Sequence, residues 1–152
     1  MNDNIFHTAT KENFLLSTDK TKLDINLIHK FLSEKSYWAK NITLENVQRS
    51  IENSLCFGIY MDKNQIGFAR IISDYSTFAY LADVFIVNDF RGKGLSKWLI
   101  ENIINLAELQ GLRRWMLATR DAHGLYEQFG FTLLSNPEII MQKHNPDIYK
   151  NI

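Results

Sequence analysis

An apolar strand passes through a short glycine-containing loop directly into an amphipathic helix in the stretch Val84-Phe85-Ile86-Val87-Asn88-Asp89-Phe90-Arg91-Gly92-Lys93-Gly94-Leu95-Ser96-Lys97. Glycines allow successive backbone N–H groups to turn toward one point and let a bulky anion approach. The first N–H groups of a helix lack partners, and the helix dipole places partial positive charge there. The stretch therefore predicts a phosphate-binding loop, and Arg91 and Lys97 add charge that favours a diphosphate.

Two better-known phosphate loops are excluded by their spacing. The chain has no Gly-x-x-x-x-Gly-Lys-Ser/Thr pattern, and it lacks the full dinucleotide fingerprint with its later acidic residue. A Gly-x-Gly turn between a strand and a helix can also be simple turn chemistry. The loop by itself leaves that alternative open.

Strand and helix patterns surround this loop. Apolar runs predict strands at residues 14–16, 55–61, 65–73, 78–87, 115–118, 131–134 and 139–142, with a hairpin turn at 62–64. Capping residues predict helices that begin after Asp24, Thr43 and Asp121, and a fourth helix runs from about Leu95 to Gln110. Gly130 is placed for a left-handed cap. The order predicts an α/β (α+β) fold, in which an antiparallel meander joins a parallel strand–helix–strand crossover.

Two blocks of the sequence resemble the GNAT family of N-acetyltransferases. Arg91-Gly92-Lys93-Gly94-Leu95-Ser96 is similar to the family's coenzyme A signature Arg/Gln-x-x-Gly-x-Gly/Ala, with Ser96 at the final small position. Thr119-Arg120-Asp121-Ala122-His123-Gly124-Leu125-Tyr126-Glu127-Gln128-Phe129-Gly130-Phe131 resembles Asn-x-x-Ala-x-x-x-Tyr-x-x-x-Gly-Phe, with Thr119 in place of Asn. Good similarity covers residues 55–131, whereas residues 1–54 fit only by the order of their elements.

The resemblance implies a fold and a cosubstrate. The GNAT fold has a mixed, mostly antiparallel sheet of six to seven strands, about four helices, and a parallel pair that splays apart at the cofactor site. The family uses acetyl-CoA and no metal, and the backbone of Val84, Phe85 and Ile86 would pair with the pantetheine arm as an added strand does. The other expected coenzyme contacts lie in the loop and the second block: Arg91, Gly92, Lys93, Gly94, Leu95, Ser96, Lys97, Thr119 and Ala122.

By the same resemblance, the chain transfers an acetyl group to a primary amine of a small molecule by direct attack in a ternary complex. Tyr126 matches the family tyrosine, and a phenol with a pKa of about 10 can protonate a thiolate with a pKa of about 8.5; a core role is its alternative. Asp83 is the candidate base, because a carboxylate in an apolar strand is costly unless it is used or paired. The alternatives are a structural ion pair and a water-mediated route, since Ala82 occupies a position that is often acidic in relatives. His123 shares a helical face with Tyr126 and is a secondary candidate for proton relay.

The acceptor site is expected at two aromatic side chains in a loop, Tyr37 and Trp38, together with Asp74 and Tyr75. Anchoring of the loop is the alternative for the aromatics, and Asp74 and Asp83 would suit a cationic acceptor. Two other functions stay open: an acetyltransferase acting on protein or peptide N-termini or lysines, and a non-catalytic module that binds acetyl-CoA.

Composition sets the remaining expectations. Seventeen basic and seventeen acidic residues balance, which argues against a nucleic-acid partner. The 152 residues fit one domain, expected at 13–152 after a polar lead at 1–12. The single cysteine, Cys56, is expected to be buried in a strand and unable to form an internal disulfide. Residues 1–4 begin no signal sequence and no apolar run spans a membrane, so we expect a cytoplasmic protein, with a homodimer as an open expectation.

Overall fold

Six strands form one mixed sheet in the computed structural model, which describes residues 5–150. The strands are β1 (Thr8–Lys11), β2 (Phe14–Ser17), β3 (Leu55–Met61), β4 (Asn64–Ser73), β5 (Phe78–Ile86) and β6 (Arg114–Leu117). They lie side by side in chain order; neighbours are antiparallel from β1 to β5, and β5 and β6 are parallel. The predicted fold class, a mostly antiparallel sheet with one parallel pair, is confirmed.

Four α-helices accompany the sheet: α1 (Ile25–Lys30), α2 (Leu44–Glu52), α3 (Leu95–Ile104) and α4 (His123–Glu127). The predicted caps of the first two are confirmed. Asp24 accepts a hydrogen bond from the backbone N of Leu27 at 3.0 Å, and Thr43 accepts one from Asn46 at 3.2 Å. A π-helical segment, Phe31–Lys35, continues α1 toward the loop that carries the two aromatics.

Two helix boundaries differ from the predictions. α3 ends at Ile104 instead of Gln110, and a 3-10 turn follows, which lets the backbone bend while Leu106 and Leu109 stay buried. The predicted Asp121 cap is wrong, because the cap residue of α4 is Ala122. The hydroxyl of Thr119 accepts a hydrogen bond from the Ala122 N at 3.0 Å and shapes this turn instead.

The two ends of the chain also differ. Residues 8–11 of the predicted polar lead form β1; residues 1–4 of that lead, and 151–152 of the predicted domain, lie outside the described residues. The prediction of strands at 131–134 and 139–142 is wrong. Between residues 131 and 142 the structure has one regular element, the 3-10 turn Pro137–Ile139. A strand needs a neighbour to bond with, and this segment pairs with none of the strands that the structure describes.

Alternating side chains bury both faces of the sheet. On one face α3 packs against the core through Leu95, Leu99, Ile100 and Ile103. On the other face α1 and α2 cover Cys56, Phe68 and Phe85. Cys56 is buried as predicted, and burial raises the pKa of its thiol to about 11. Within residues 5–150, none of the helices is both long and apolar enough to cross a bilayer.

Candidate active site

The parallel strands β5 and β6 separate and leave a cleft between them. Their pairing begins at Phe78 with Arg114 and ends at Leu81 with Leu117. Beyond that point, residues 83–86 continue β5 with no strand against their β6-facing edge in the described part of the chain. A cleft of about 1320 Å³ opens there. Free backbone N–H and C=O groups on such an edge can pair with an extended, amide-bearing ligand.

A β-bulge at Asp83 accompanies this separation. Asp83 and Val84 of β5 lie opposite the single residue Ala69 of β4, and Asp83 has a φ of +55°. A bulge bends its strand and increases the local twist. The bend turns β5 away from β6 just after their last paired residues, so the bulge helps to form the cleft.

The carboxylate of Asp83 is paired on both oxygens. Arg70 Nε donates to Oδ2 at 2.9 Å, and Trp38 Nε1 donates to Oδ1 at 2.9 Å. Arg70 is held in turn by a hydrogen bond from Nη1 to Ser54 Oγ at 3.1 Å. The side chain of Asp83 therefore forms the structural ion pair that the sequence left open. Its role as a base stays a prediction, and that role requires a water or the opening of one of these bonds.

The two loop aromatics bridge the cleft. Tyr37 Oη accepts a hydrogen bond from the backbone N of Arg120 at 2.8 Å, and the Arg120 guanidinium lies 4.0 Å from the Tyr37 ring centroid. Trp38 packs edge-to-face on Tyr37 at 5.0 Å and bonds to Asp83 on β5. Both predicted acceptor residues thus line the cleft and connect its two walls.

The other two predicted acceptor residues lie elsewhere. Asp74 belongs to the turn before β5, at the end of that strand opposite the bulge, where it accepts hydrogen bonds from the backbone N of Ser76, Thr77 and Phe78. Together with the Thr77 hydroxyl, these donors hold the pKa of Asp74 well below its usual range. Tyr75 lines a smaller pocket of about 260 Å³. The structure does not bring this pair to the cleft, because turn formation uses the Asp74 carboxylate.

The predicted phosphate loop leads into α3 with both glycines left-handed. Gly92 has a φ of +79° and Gly94 a φ of +75°, conformations that favour glycine. The first helical bond joins the Trp98 N to the Gly94 O at 3.1 Å, and among residues 5–150 no side chain caps the N–H groups that precede it. A Cβ on Gly92 would meet no described atom within 4 Å, so the loop is open to a ligand.

Lys11 adds a positive charge that the sequence analysis missed. A Cβ built on Gly94 would lie 3.6 Å from Lys11 Nζ, so the ammonium of this β1 residue sits beside the loop. The contact joins residues 83 positions apart in the chain, and no local pattern indicates it. The loop therefore combines free N–H groups, a helix dipole and a nearby cation.

The remaining predicted coenzyme residues fall into two groups. Some face open space: Gly92, Lys93, Gly94 and Lys97 are exposed, and Val84, Thr119 and Ala122 line the cleft. Others have structural partners. Arg91 Nε donates to the Ile86 O at 3.1 Å, and the Phe85 ring stacks on Phe31 at 3.9 Å, so only its backbone is free for a ligand. Leu95 is buried and Ser96 is partly buried in the first turn of α3.

Tyr126 projects from α4 into the cleft lining and is 8% exposed. Burial, followed by the charges of Tyr37 and Asp121, raises the pKa of Tyr126 to about 12. The phenol stays protonated at neutral and mildly alkaline pH and can donate a hydrogen bond. Full proton transfer to a thiolate of pKa about 8.5 would be uphill. His123 is exposed at the first position of α4 and is not among the described residues that line the cleft.

The chain's C-terminal segment contributes a wall that the sequence analysis missed. Residues Gln142, Lys143, His144, Pro146 and Tyr149 line the same cleft. The sequence predicted strand structure for the start of this segment, so it offered no signal for a place beside the cleft. Among the described residues, no group of three His, Cys, Asp or Glu side chains is arranged to hold a metal ion.

Comparison with known proteins agrees with this geometry. Residues 25–131 match the model of the acetyltransferase (GNAT) family. A candidate acetyltransferase of Gibberella zeae is 32% identical over 139 residues, with 77% of each chain covered. A GNAT-family crystal structure from Xanthomonas campestris pv. campestris has a TM-score of 0.89 and 51% identity, covering 91% of this chain and 97% of the other. A GNAT acetyltransferase of Elizabethkingia anophelis, solved with acetyl-CoA bound, shares the fold at a TM-score of 0.60 and 15% identity, covering 82% and 80%.

Proposed function

Because the chain belongs to the acetyltransferase (GNAT) family, we propose that it transfers an acetyl group from acetyl-CoA to a primary amine of a small molecule. One observation carries the proposal: the ladder between β5 and β6 ends at Leu81 and Leu117, and the resulting cleft is lined by Tyr126. The cleft joins an open strand edge to a phenol that can donate a hydrogen bond. Both reactants can meet there in one ternary complex.

Three features of the structure fit acetyl-CoA. The edge of residues 84–86 lies beyond the end of the β5–β6 pairing and suits the amide groups of a pantetheine arm, with the Ile86 carbonyl already bonded to Arg91. The open turn around Gly92 and Gly94, with the first N–H groups of α3, suits a pyrophosphate. Lys11 supplies a cation beside that turn. When bound, the coenzyme supplies an acetyl thioester that a neutral amine can attack.

The protein must accept a proton from the acceptor amine and hold the two reactants in position. An alkyl ammonium has a pKa of about 10, so the acceptor must lose a proton before its nitrogen attacks. Asp83 receives that proton through a water, because its two oxygens already bind Arg70 and Trp38. A carbon–nitrogen bond then forms as the carbon–sulfur bond breaks. Of the two protons that the ammonium loses, one passes to solvent and one ends on the thiol.

Tyr126 assists the departure of the thiol. Its phenol is protonated at neutral pH, and burial, which raises the pKa to about 12, keeps it protonated in mildly alkaline solution as well. It donates a hydrogen bond to the sulfur as the carbon–sulfur bond breaks. The proton that ends on the thiol is one of the two that the ammonium nitrogen releases. Backbone N–H groups on the free edge of β5 stabilise negative charge on the acetyl oxygen.

The shape of the cleft favours a small acceptor. Tyr37 and Arg120 join its two walls, and the segment that includes His144 and Tyr149 adds another side. Because these contacts connect the walls on the acceptor side, they suit a small amine better than a folded protein surface. The free thiol of Cys56 also fits a reducing compartment, and we place the reaction in the cytoplasm.

Thiol release from acetyl-CoA, measured with a panel of amines, amino acids and peptides, tests the proposal. We expect release with small primary amines and an N-acetylated product by mass spectrometry. Release only with peptides would identify a peptide acetyltransferase instead. Calorimetric binding of coenzyme A without turnover of any acceptor would identify a binding module, and absence of binding at high excess would refute the assignment of the loop.

A further inference from the structure

One side of α2 gives the cleft a polar wall. Its members follow one another at helical spacing and therefore share one face of the helix: Asn46, Arg49, Ser50 and Asn53. Two of them already bond to the helix backbone, since Ser50 Oγ donates to the Val47 O at 2.7 Å and Asn53 Nδ2 donates to the Arg49 O at 2.9 Å. Arg49 is the charged member of this wall, and charged donors make the stronger hydrogen bonds to a ligand.

α2 reaches the cleft from the side of the sheet opposite the phosphate loop. α3, which follows that loop, packs on one face of the sheet, whereas α1 and α2 cover the other face. The coenzyme expected at the loop therefore enters the cleft from the α3 face. The α2 wall, with Arg49, stays available to the second reactant.

The charged side chains of the cleft are mostly basic. Two carboxylates line it, Asp83 and Asp121, against four basic residues, Arg49, Arg70, Arg120 and Lys143. Asp121 lies on the β6 side of the cleft, close in the chain to Thr119, which is expected to contact the coenzyme. The cationic acceptor that Asp74 and Asp83 suggested loses its basis, because a turn and Arg70 occupy these two carboxylates. The field of the cleft favours an anion instead.

Arg49 can change partners at little cost. Its Nη2 bonds to Glu45 Oε1 at 3.0 Å, but the two side chains are 67% and 79% exposed. Exposed ion pairs contribute little, because water and salt screen them. The guanidinium carries five N–H donors in a planar fork, and Glu45 binds only one of its nitrogens. An anionic ligand can therefore bind Arg49 beside Glu45 or in its place.

We propose that the acceptor is a primary amine that also carries an anionic oxygen group, a carboxylate or a phosphate, and that Arg49 binds this group. This inference rests on acetyl transfer to a small amine, the function proposed above. A planar guanidinium binds either anion through two parallel hydrogen bonds, which fix the direction of the ligand as well as its position. The acceptor then extends from the α2 wall toward β5, where its amine meets the thioester.

Matched acceptors test the charge preference. γ-Aminobutyrate, δ-aminovalerate and aminopropyl phosphate carry the anion, butylamine lacks it, and putrescine has a second ammonium in its place; the reacting ammonium has a pKa of about 10 in each. We expect kcat/KM to be about 10-fold higher for the best anionic acceptor than for butylamine, mainly through a lower KM, and lowest for putrescine. Equal values, or a preference for butylamine or putrescine, would overturn the proposal.

Variants at one ion pair assign the preference to Arg49. Arg49→Gln should lower the kcat/KM ratio between the best anionic acceptor and butylamine about 10-fold, and Arg49→Lys should retain part of the ratio because the charge remains. Glu45→Gln breaks the same ion pair but keeps the cation, so it is the matched control and should keep the full ratio. A ratio unchanged in Arg49→Gln, or lost equally in Glu45→Gln, would contradict the role of Arg49.

Binding of the products separates this inference from acetyl transfer itself. Saturation-transfer NMR in the presence of coenzyme A compares γ-acetamidobutyrate with N-butylacetamide, and it needs no turnover. We expect tighter binding of the acid by the wild type and loss of that difference in Arg49→Gln. Equal binding of the two products would refute the anion site. Binding of the acid through Arg49 without acetylation of any amine would support the anion site and refute the proposed transfer.

Discussion

Arg70 Nε donates a hydrogen bond of 2.9 Å to Oδ2 of Asp83, across the bulge at which β5 turns away from β6. The two side chains are only 15% and 9% exposed, and Trp38 holds the second carboxylate oxygen. One ion pair therefore ties together the bent strand, its neighbour β4 and the aromatic loop over the cleft. The stability of the fold and the shape of the site depend on the same pair.

Asp83→Asn should lower the free energy of unfolding in urea by about 3 kcal/mol, because Arg70 keeps its charge in a largely buried place. Adding Arg70→Met to Asp83→Asn should restore most of that loss. A double variant as unstable as the single one would show that the pair does not carry this energy. Glu45→Gln, which breaks the exposed pair with Arg49, serves as control and should change stability by less than about 1 kcal/mol.

The same variant separates two roles for Asp83 in acetyl transfer. If Asp83 receives the proton of the amine, Asp83→Asn should lower kcat at neutral pH, and higher pH should restore much of it as free amine becomes available. If Asp83 acts only by positioning Trp38, Trp38→Phe should reproduce the loss and the pH profile should keep its shape. The pH profile of kcat for both variants decides between these roles.

Tyr126→Phe should leave coenzyme A binding unchanged in calorimetry and lower kcat about 100-fold. The ring would still pack on Phe131, whose centroid is 6.0 Å away, so the fold is preserved. Because the pKa of Tyr126 is about 12, wild-type activity should show no loss from its ionisation up to about pH 9. Turnover unchanged in the phenylalanine variant would remove Tyr126 from the mechanism.

Tyr126 and Tyr60 should also make the fold sensitive to alkali. Burial raises the pKa of both phenols above the ordinary value of about 10, so the unfolded chain ionises first as pH rises. Their contribution is fully present below pH 10, and it is lost progressively as pH rises through the folded-state values. Urea unfolding between pH 9 and pH 11.5 should show this decline. Tyr126→Phe should weaken the decline relative to wild type, and an identical slope would refute the contribution of Tyr126.

Local chemistry explains what could be predicted from the sequence. The caps at Asp24 and Thr43 act on backbone groups three residues away, and the glycines at 92 and 94 adopt the left-handed conformation that their spacing indicates. Tyr126 reaches the cleft because its block lies in one short helix after β6. Each of these features is set by interactions within a few residues.

Long-range contacts explain what was missed. Asp74 is close to β5 in sequence but lies at the opposite end of that strand from the bulge, and its turn uses the carboxylate. The predicted strand at 139–142 needs a neighbour that the single chain does not supply. Lys11 approaches Gly94 only because β1 joins the same sheet. The pattern of a sequence indicates which residues form strands, but it says less about which strands pair with each other.

Lys11→Met should weaken coenzyme A binding about 5-fold, since it removes a cation beside the pyrophosphate loop while keeping the aliphatic stem. The loss should shrink as salt is raised, because screening already weakens the wild-type interaction. Lys30→Met, on α1 at the opposite face of the sheet, is the control and should bind normally. Equal affinity for the Lys11 variant and wild type at low salt would exclude a role for this ammonium.

Tyr37 should control which acceptors enter the cleft. Tyr37→Phe removes the hydroxyl that accepts from the Arg120 N but keeps the ring under the guanidinium. We expect a several-fold higher KM for the amine, with the KM for acetyl-CoA unchanged, because the loss frees one wall of the acceptor side. Tyr37→Ala removes the ring as well and should extend turnover to bulkier amines that the wild type rejects. Initial rates over a series of amines of increasing size measure both effects. If both variants kept the wild-type size limit, the contact between Tyr37 and Arg120 would not restrict the size of the acceptor.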